Sequence, residues 1–340
     1  MESGRAVITI RDVARVAGVA VSTVSRVINQ SGYVAKDTEA RVKVAMQQLN
    51  FQPSGIARGL ISRKTGSIGL LVPDVANPFF SDIARGAEDA AIAEGFSLFL
   101  CNSDWQLDRE RMYLDILRRR WVDGVIVAGT RSSESDLLEC IGSLPFVVVD
   151  RKATQMGSSV WSNNEVGALL ATEHLIATGC QKIVHIAGPE QSPSATARKT
   201  GFLRAMSQRL SQSTIQSLLF PGDFRYEGGY HTALSLLNCS APPDGIFAAN
   251  DLMAIGVIQA AESLGLHIPQ DLAVVGYDNI AMSSYVSPRL TTIDQPGYKM
   301  GQAGFEILLQ IMQSKTQNLT DQEFEPTLIV RESTRSILLP

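Results

Sequence analysis

"TIRDVARVAGVAVSTVSRVIN", residues 9–29, has the pattern of two short amphipathic helices separated by a glycine. Thr9 and Asp12 form a capping box, which predicts that the first helix begins at Ile10. Gly18 is predicted to end this helix, because glycine tolerates the left-handed backbone found at helix C-termini. The apolar face of the first helix then consists of Ile10, Val13, Ala14 and Ala17.

A second helix is predicted from about Val21 to Asn29. Its inward-facing residues are Val24, Val27 and Ile28. Its outward or edge residues are Ser22, Ser25, Arg26 and Asn29. Two short helices joined by a glycine turn are typical of the helix-turn-helix, in which the second helix enters the major groove of DNA.

A third helix is predicted from about Asp37 to Leu49, and it completes a head of about 50 residues, a size at which a lone core is only marginally stable. The residues expected to cover the small core are Ala40, Val44, Ala45 and Leu49. The pattern of these three helices also fits any small helical bundle with a solvated polar face, so it does not by itself establish DNA binding.

The charge of the chain is distributed unevenly. Residues 1–65 hold ten Lys or Arg against four Asp or Glu, whereas the whole chain of 340 residues has a net charge of −4. A basic head on an acidic body indicates that the head binds a polyanion. The segment "PSGIARGLISRKTG", residues 53–66, is also basic and too polar to fold alone, so it is expected to become ordered on binding.

The head resembles the LacI/GalR family of bacterial transcriptional regulators through "ITIRDVARVAGVAVSTVSRVIN…ARVKVAMQQLNFQPSGIARGL". The resemblance implies that Val21, Ser22 and Arg26 read base edges, and Arg26 is able to contact a guanine with two hydrogen bonds. The positions that match phosphate contacts are Thr9, Thr23, Ser25 and Asn29. Ala20 and Ala35 stand where the family usually has a helix-capping Ser, which predicts a head of low stability away from DNA.

The same resemblance divides the chain into three parts. Residues 8–53 would be the DNA-binding domain, 54–66 a hinge helix and linker, and 67–340 a ligand-binding and dimerisation domain. Within the hinge, Ala57 is expected to contact DNA and Leu60 to enter a minor-groove step and kink the duplex.

From residue 67 onward, short apolar runs alternate with segments of helical period, which predicts parallel βαβ units. The runs are "SIGLLVPD", "FSLFLCNSD", "GVIVAG", "FVVVD", "KIVHIAGP", "GIFAAND" and "LAVVGYDN". Two sets of units, before and after about residue 160, predict two Rossmann-like subdomains with a ligand cleft between them. Several runs end in a residue that could bind ligand, cap a helix or form a turn: Asp74, Asn77, Asp104, Asp150, Asn250, Asp251 and Asp278.

The body resembles periplasmic sugar-binding proteins and the effector domains of the LacI/GalR family. By that resemblance Phe79, Phe80 and Phe224 stack on a sugar ring. The hydrogen-bonding positions are Asp150, Arg198, Asn250, Asp278 and Gln295. Arg198 should be buried between Asp150 and Asp278, where charge compensation makes burial tolerable. Asn163 stands where an acidic residue is more usual before Asn164, so no ligand contact is carried over from that loop.

The resemblance implies a sequence-specific DNA-binding repressor controlled by a small sugar-type effector. "LCNSD", "GDFRYEGG" and "LTTIDQP" are most like the ribose-responsive branch, which favours ribose or a similar monosaccharide. The sequence leaves open whether the sugar weakens or strengthens DNA binding. An alternative is a global carbon regulator whose co-effector is a phosphorylated carrier protein, bound beside "SDIARGAED" (81–89) through Arg85.

Other classes of protein are less compatible with the sequence. A transport-type sugar-binding protein would need a signal peptide in place of the basic head. Since no segment has the length and apolar character of a membrane span, a cytoplasmic protein is expected. No phosphate loop or nucleophile elbow is present, and the four histidines are far apart, so no enzymatic activity is expected. These histidines are His174, His185, His231 and His267.

The four cysteines, Cys101, Cys140, Cys180 and Cys239, lie in apolar stretches without metal-ligand spacing. Buried free thiols are therefore expected, with no metal and no cofactor. One helix-turn-helix covers few base pairs, so two heads of a homodimer are expected on a pseudo-palindromic operator. "RSILLP" after "LIVREST" contains no heptad repeat, which favours a dimer over a tetramer assembled through the tail.

Overall fold

The computed structural model of the protein describes residues 8–29, 31–51, 65–120, 122–154, 157–314 and 321–336. It divides at Gly66 into two compact units, here called the head and the effector domain. The segment 54–61, with the predicted DNA contacts Ala57 and Leu60, lies outside the described residues.

The head consists of helices α1 (Ile10–Ala17), α2 (Val21–Asn29) and α3 (Lys36–Gln48). The backbone N–H and the hydroxyl of Thr9 both donate to Asp12 Oδ2, at 3.0 and 2.8 Å. Gly18 ends α1 in the left-handed conformation, with φ of 63°. The predicted start and end of the first helix are therefore confirmed.

The buried core of the head is small and is supplied by all three helices. It contains Val13, Ala14, Ala17, Val24, Val42 and Ala45. The prediction that Ala40 and Val44 cover this core is wrong, because Ala40 is exposed and Val44 is 50% exposed. Val42, Ala45 and Leu49 are spaced three and four residues apart, so they share the inner face of α3 and turn Val44 toward solvent.

The effector domain contains two six-stranded sheets. The first has the order β11-β5-β4-β3-β1-β2, and the second β12-β10-β9-β8-β6-β7. All recorded strand pairs are parallel except β10 with β12. The strands are β1 Ser67–Val72, β2 Ser97–Asn102, β3 Gly124–Ala128, β4 Phe146–Val149, β5 Ser158–Ser162, β6 Ile183–Ile186, β7 Leu219–Phe220, β8 Gly245–Ala248, β9 Ala273–Asp278, β10 Thr291–Asp294, β11 Gln322–Phe324 and β12 Thr327–Ile329.

Helices connect the parallel strands, as the alternating sequence pattern predicts. They are α4 Pro78–Ala93, α5 Leu107–Arg119, α6 Glu134–Ile141, α7 Asn164–Ala177, α8 Pro193–Met206, α9 Gln212–Gln216, α10 Tyr226–Leu237, α11 Asp251–Ser263 and α12 Gly297–Ser314. The predicted combination of a helical head with an α/β effector domain of two subdomains is confirmed.

The division of the effector domain is less simple than a cut at residue 160. Helix α12 packs along α4 and against β3, β4 and β5, so the chain returns to the first subdomain after residue 294. Gly86 and Gly301 allow this close packing, since a Cβ at either would lie 2.0 Å from a backbone oxygen of the other helix. The chain then crosses once more, because β11 joins the first sheet and β12 the second.

We call the first sheet with α4, α5, α6 and α12 the N-subdomain, and the second sheet with α7 to α11 the C-subdomain. Three crossings therefore join them, after β5, after β10 and between β11 and β12. The central strands are buried on both faces, as in Phe146–Val149 and Ala273–Asp278, which explains their continuous apolar sequence.

Three further observations concern the cysteines, the apolar character of the helices and the grouping of possible metal ligands. Cys101 and Cys180 are buried, but Cys239 is exposed, because it follows the end of α10 instead of lying in a strand. Of the helices in the described ranges, none combines the length and apolar character that a bilayer span requires. Within those ranges, no three His, Cys, Asp or Glu side chains are grouped so as to hold a metal ion.

Candidate functional sites: an exposed helix of the head and a ligand cleft

Helix α2 turns its polar side chains outward. Ser22 and Arg26 are exposed, and Val21 is 42% exposed, so the three predicted base-reading residues lie at the surface. The predicted phosphate-contacting residues of this helix, Thr23, Ser25 and Asn29, are half-buried beside them. Val24 is buried on the opposite face, which fixes the orientation of the helix. Thr9 remains exposed although its hydroxyl takes part in the capping box.

Arg198 is the buried cation of the cleft between the N- and C-subdomains. Its side chain projects from α8, is 3% exposed, and lies with its Cζ 3.7 Å from the ring centroid of Tyr277. Its Nε donates to Asn164 Oδ1 at 2.7 Å, and its Nη1 donates to the carbonyl of Ala249. Nη2 lies 3.3 Å from Asp278 Oδ1. The predicted burial of Arg198 is thus confirmed.

Two buried carboxyl groups face this cation from opposite subdomains. Burial raises the pKa of Asp150 to about 7, although the positive charge of Arg198 opposes that rise. Burial likewise raises the pKa of Asp278 to about 6, against Arg198 and hydrogen bonds from Gln295, Arg198 and Asn77. Each carboxyl is therefore poorly solvated and lacks enough donors in the protein alone, so donors from a ligand would stabilise its ionised form.

The two carboxyl groups stand on left-handed backbone at the carboxyl ends of their strands. Asp150 follows β4 with φ of 73°, and Asp278 ends β9 with φ of 104°. Non-glycine residues in this region carry strain that only a well-determined surrounding structure maintains, and such residues cluster at binding sites. The strained backbone at both positions therefore indicates a role in ligand binding, since sheet formation does not require it.

Several buried polar atoms near Arg198 have no hydrogen-bond partner in the protein. They are Asp150 Oδ1, Ser162 Oγ and Gln295 Oε1, although Gln295 Nε2 donates to Asp278 Oδ1 at 2.7 Å. Beside them, an open groove of about 340 Å³ is lined by Asp150, Ser162, Asn164 and Ser194 among other residues, whereas Arg198, Asp278 and Gln295 are not part of its lining. Buried polar atoms without partners are unfavourable, so this arrangement suits a small ligand rich in hydroxyl groups.

An aromatic cluster lies in the same cleft. Phe79 and Phe80 begin α4 and stand 5.2 Å apart by ring centroids, and Phe80 stands 6.2 Å from Trp105. Trp105 in turn lies 5.5 Å from Phe224, which belongs to the C-subdomain. The structure thus brings together the three predicted stacking residues. Trp105 was not predicted, although "CNSDW" places it shortly after strand β2, and Asp150 and Asp278 also lie at strand ends.

Asn250 lies at the cleft but is engaged in local structure. Its Oδ1 caps α11 by accepting from Met253 N at 3.0 Å, and its Nδ2 donates to the carbonyl of Phe224 at 2.9 Å. Its neighbour Asp251 accepts from Thr292 Oγ1 and from the backbone of Ile280. Asn250 therefore acts as a helix cap and also fixes the position of Phe224, whereas Asp251 ties the start of α11 to β10 and to the loop after β9.

Two asparagines that were not among the predicted hydrogen-bonding positions also organise the site, although Asn77 is one of the strand-end residues noted above. Asn164 orients Arg198 and donates to the carbonyl of Ser162 at 3.1 Å. Asn77 caps α4 by accepting from Phe79 N at 3.1 Å, and across the cleft it helps to lower the pKa of Asp278 against the effect of burial. Asn163, which departs from the family pattern, caps α7 and donates to Glu323 at 2.8 Å. Its neighbour Asn164 is the residue that reaches the cleft.

A helix-turn-helix head and an α/β domain with a ligand cleft define a DNA-binding regulator under the control of a small-molecule effector. Residues 9–54 match the model of bacterial regulatory proteins of the lacI family, and residues 172–334 match that of periplasmic binding protein-like domains. The chain is 39% identical over 327 residues to a ribose operon repressor of Halalkalibacterium halodurans, covering 96% of this chain and 97% of that protein.

Solved structures agree with this assignment. A lac repressor dimer bound to operator and the anti-inducer ONPF has a TM-score of 0.85 at 30% identity, covering 97% of this chain and 99% of that one. A LacI family regulator of Enterococcus faecium with bound ribose has a TM-score of 0.71 at 34% identity, covering 79% and 98%. The chain belongs to the LacI family of bacterial transcriptional regulators, and it is a DNA-binding repressor controlled by a small-molecule effector.

Proposed function

We propose that the effector is an underivatised monosaccharide, ribose in the first instance, and that its binding controls operator affinity. The observation that carries the proposal is Arg198, buried between Asp150 and Asp278 among polar atoms without partners. Sugar hydroxyls both donate and accept, so they satisfy carboxylates and a guanidinium together, while the aromatic cluster covers the ring. The resemblance to a ribose operon repressor and a ribose-bound regulator supports the same effector.

Two binding partners fit this function: a DNA operator with two half-sites and a second copy of the chain. The edge strand β2 exposes Phe99 and Leu100, which are 53% and 48% accessible, and Tyr285 in the C-subdomain is 79% accessible. Exposed apolar side chains on a sheet edge favour an interface with another copy. A two-fold dimer would place two heads on a pseudo-palindrome, and the similar lac repressor is a dimer on its operator.

Sugar and operator must influence each other equally. If sugar changes operator affinity by some factor, operator changes sugar affinity by the same factor, because the two equilibria are linked. No catalytic step is proposed, and the relatives named above are transcriptional regulators, two of them repressors.

Calorimetric titration of the full chain with ribose, arabinose, xylose, glucose and galactose tests the effector. We expect saturable binding of ribose that is lost in Arg198→Met and Asp278→Asn. The matched control is Arg204→Met, because Arg204 lies on the same helix but is exposed and paired with Glu165. If none of these sugars gives binding heat, the proposal is contradicted. That result would favour the phosphorylated carrier protein as effector, and Arg85, which is exposed on α4, would be available to contact it.

Selection of binding sites from random DNA tests the head. Arg26→Ala should weaken preference at one base pair of each half-site by about 1–3 kcal/mol, because a bidentate contact to guanine is lost. Arg15→Ala is the control, since Arg15 lies on α1 and pairs with Asp12. An unchanged site preference in Arg26→Ala would exclude Arg26 as a base-reading residue.

A further inference from the structure

Two loops meet across the cleft between the subdomains. Asp104 follows β2 in the N-subdomain, and Arg225 precedes α10 in the C-subdomain. Arg225 Nη2 donates to Asp104 Oδ1 at 2.5 Å, and Arg225 Nε lies 4.0 Å from Asp74 Oδ2. An ion pair between residues 121 positions apart thus connects the two subdomains.

Next to this ion pair, an aromatic contact makes the same connection. The rings of Trp105 and Phe224, each adjacent in sequence to one partner of the pair, lie 5.5 Å apart. Both rings are buried, 8% and 6% exposed. Polar and apolar contacts therefore link the same two loops.

The backbone of both loops is held in an unfavourable conformation. Asp104, Trp105 and Phe224 have φ values of 53°, 55° and 64°, a region that non-glycine residues rarely adopt. Local hydrogen bonds maintain it: Arg131 donates to the carbonyl of Trp105 at 2.8 Å, and Asn250 to that of Phe224 at 2.9 Å. The strain is concentrated where the subdomains meet, and such strain persists only where surrounding contacts determine the geometry.

We propose that Asp104, Trp105, Phe224 and Arg225 form a latch that holds the subdomains closed over the effector and restricts it to a free monosaccharide. This inference rests on the proposed function and names the residues that set its selectivity. With the two rings in contact, a substituent leaving the sugar toward these loops would have to separate them. A free sugar is enclosed, whereas a glycoside or second sugar ring at that position is excluded.

The latch acts on closure more than on folding. Arg225 is 48% and Asp104 34% exposed, and pairs with such exposure contribute little to stability by themselves. The pair is made in the closed arrangement described here, so it stabilises that arrangement with or without effector, and it adds to effector affinity because binding requires closure.

A double-mutant cycle with Asp104→Asn and Arg225→Gln in the full chain tests the ion pair. Ribose affinity should fall about two- to fivefold in each single variant, with little further loss in the double variant, and high salt should reduce the difference. Arg111→Gln and Asp136→Asn form the matched control, since that pair stands 2.9 Å apart within the N-subdomain at 53% and 34% exposure. Additive losses, or losses equal to those of the control, would overturn the ion-pair part of the latch.

Selectivity is tested with methyl β-D-ribofuranoside against ribose in Trp105→Ala. The preference of the wild-type chain for ribose should fall about tenfold, because the variant leaves room for the substituent. An unchanged preference would refute the exclusion of glycosides by Trp105.

Amide hydrogen exchange measured without sugar tests the latch independently of the identity of the effector. Exchange in residues 103–106 and 223–226 should rise in the Asp104→Asn, Arg225→Gln variant and stay unchanged in the control pair. If both loops exchange as in wild type, the latch is refuted whichever sugar binds. If they respond but ribose gives no heat, the proposed effector is wrong while closure through the latch stands.

Discussion

The guanidinium of Arg198 makes the cleft polar while it leaves neighbouring polar atoms available to a ligand. Its nitrogens reach Asn164, Ala249 and Asp278, and its flat face lies on Tyr277. Asp150 faces the same cation but keeps one oxygen without a partner. The guanidinium thus has partners within the protein, whereas the carboxyl groups lack hydrogen-bond donors. A neutral ligand with several hydroxyl groups can supply those donors.

Arg198→Met is expected to lower the free energy of unfolding of the effector domain by about 3 kcal/mol at pH 8, because it leaves a buried carboxylate without its cation. The loss should shrink at pH 5, where the carboxyls accept protons. Urea unfolding followed by tryptophan fluorescence measures it, since all three tryptophans lie beyond residue 100. Arg204→Met should change stability by less than about 0.5 kcal/mol, and an equal loss in both variants would contradict this account.

The raised pKa of Asp150 predicts a pH dependence of stability. The folded-state value is about 7 against 3.8 for the ordinary group, so the folded protein holds a proton that the unfolded chain releases. This contribution to stability is therefore full below about pH 4 and is lost as pH rises through about 7. Asp150→Asn should flatten the profile measured by urea unfolding without sugar. A variant with the wild-type slope would show that Asp150 does not titrate in this range.

At the scale of elements, helix termini carry much of the local information. The capping box and Gly18 fix both ends of α1, and Asn77, Asn163 and Asn250 each cap a helix that borders the cleft. Strand ends are followed at once by helix starts in such folds. A single asparagine can therefore cap a helix and hold a neighbour of the ligand in place.

Helix α3 begins without a side-chain cap. Ala35 has the extended backbone of an N-cap residue, with φ of −61° and ψ of 141°, but makes no capping hydrogen bond through its side chain. Ala35→Ser should stabilise the head by about 1 kcal/mol, measured as slower amide exchange of Val42 and Ala45 in the full chain. Tyr33→Ser is the control for a polar substitution nearby, since Tyr33 is 90% exposed. If amide exchange is equal in both variants, the absence of a side-chain cap at Ala35 does not limit the stability of the head.

The sequence predicted the elements whose pattern is local and missed those that depend on distant partners. Continuous apolar runs revealed the central strands, because both of their faces are buried. "SSVWS", which forms β5, is too polar for that signature, and β11 and β12 are three residues each. The strand-end pattern already indicated Asp150 and Asp278, and family resemblance added Arg198, whereas the positions of Trp105 and Asn164 in the site depend on packing between distant residues.

At the scale of the molecule, association with a second copy is the property most open to test. Phe99→Glu on the edge strand β2 should shift the chain from dimer to monomer in sedimentation velocity, because a charge would be buried at the interface. Operator affinity should fall with it, while ribose binding remains. Leu210→Glu is the control, as Leu210 is 38% exposed in the C-subdomain. A dimer that survives Phe99→Glu places the interface elsewhere.

The three crossings also set the order in which the protein can be completed during translation. Strands β1 to β5 leave the ribosome early, but α12, which packs against β3, β4 and β5, follows strands β6 to β10 of the C-subdomain in sequence. The nascent chain must therefore carry an apolar sheet that is uncovered where α12 will pack, while well over a hundred further residues, 163–296, are synthesised. Such surfaces are the ones that chaperones bind. The head, whose three helices end at Gln48, meets no such delay.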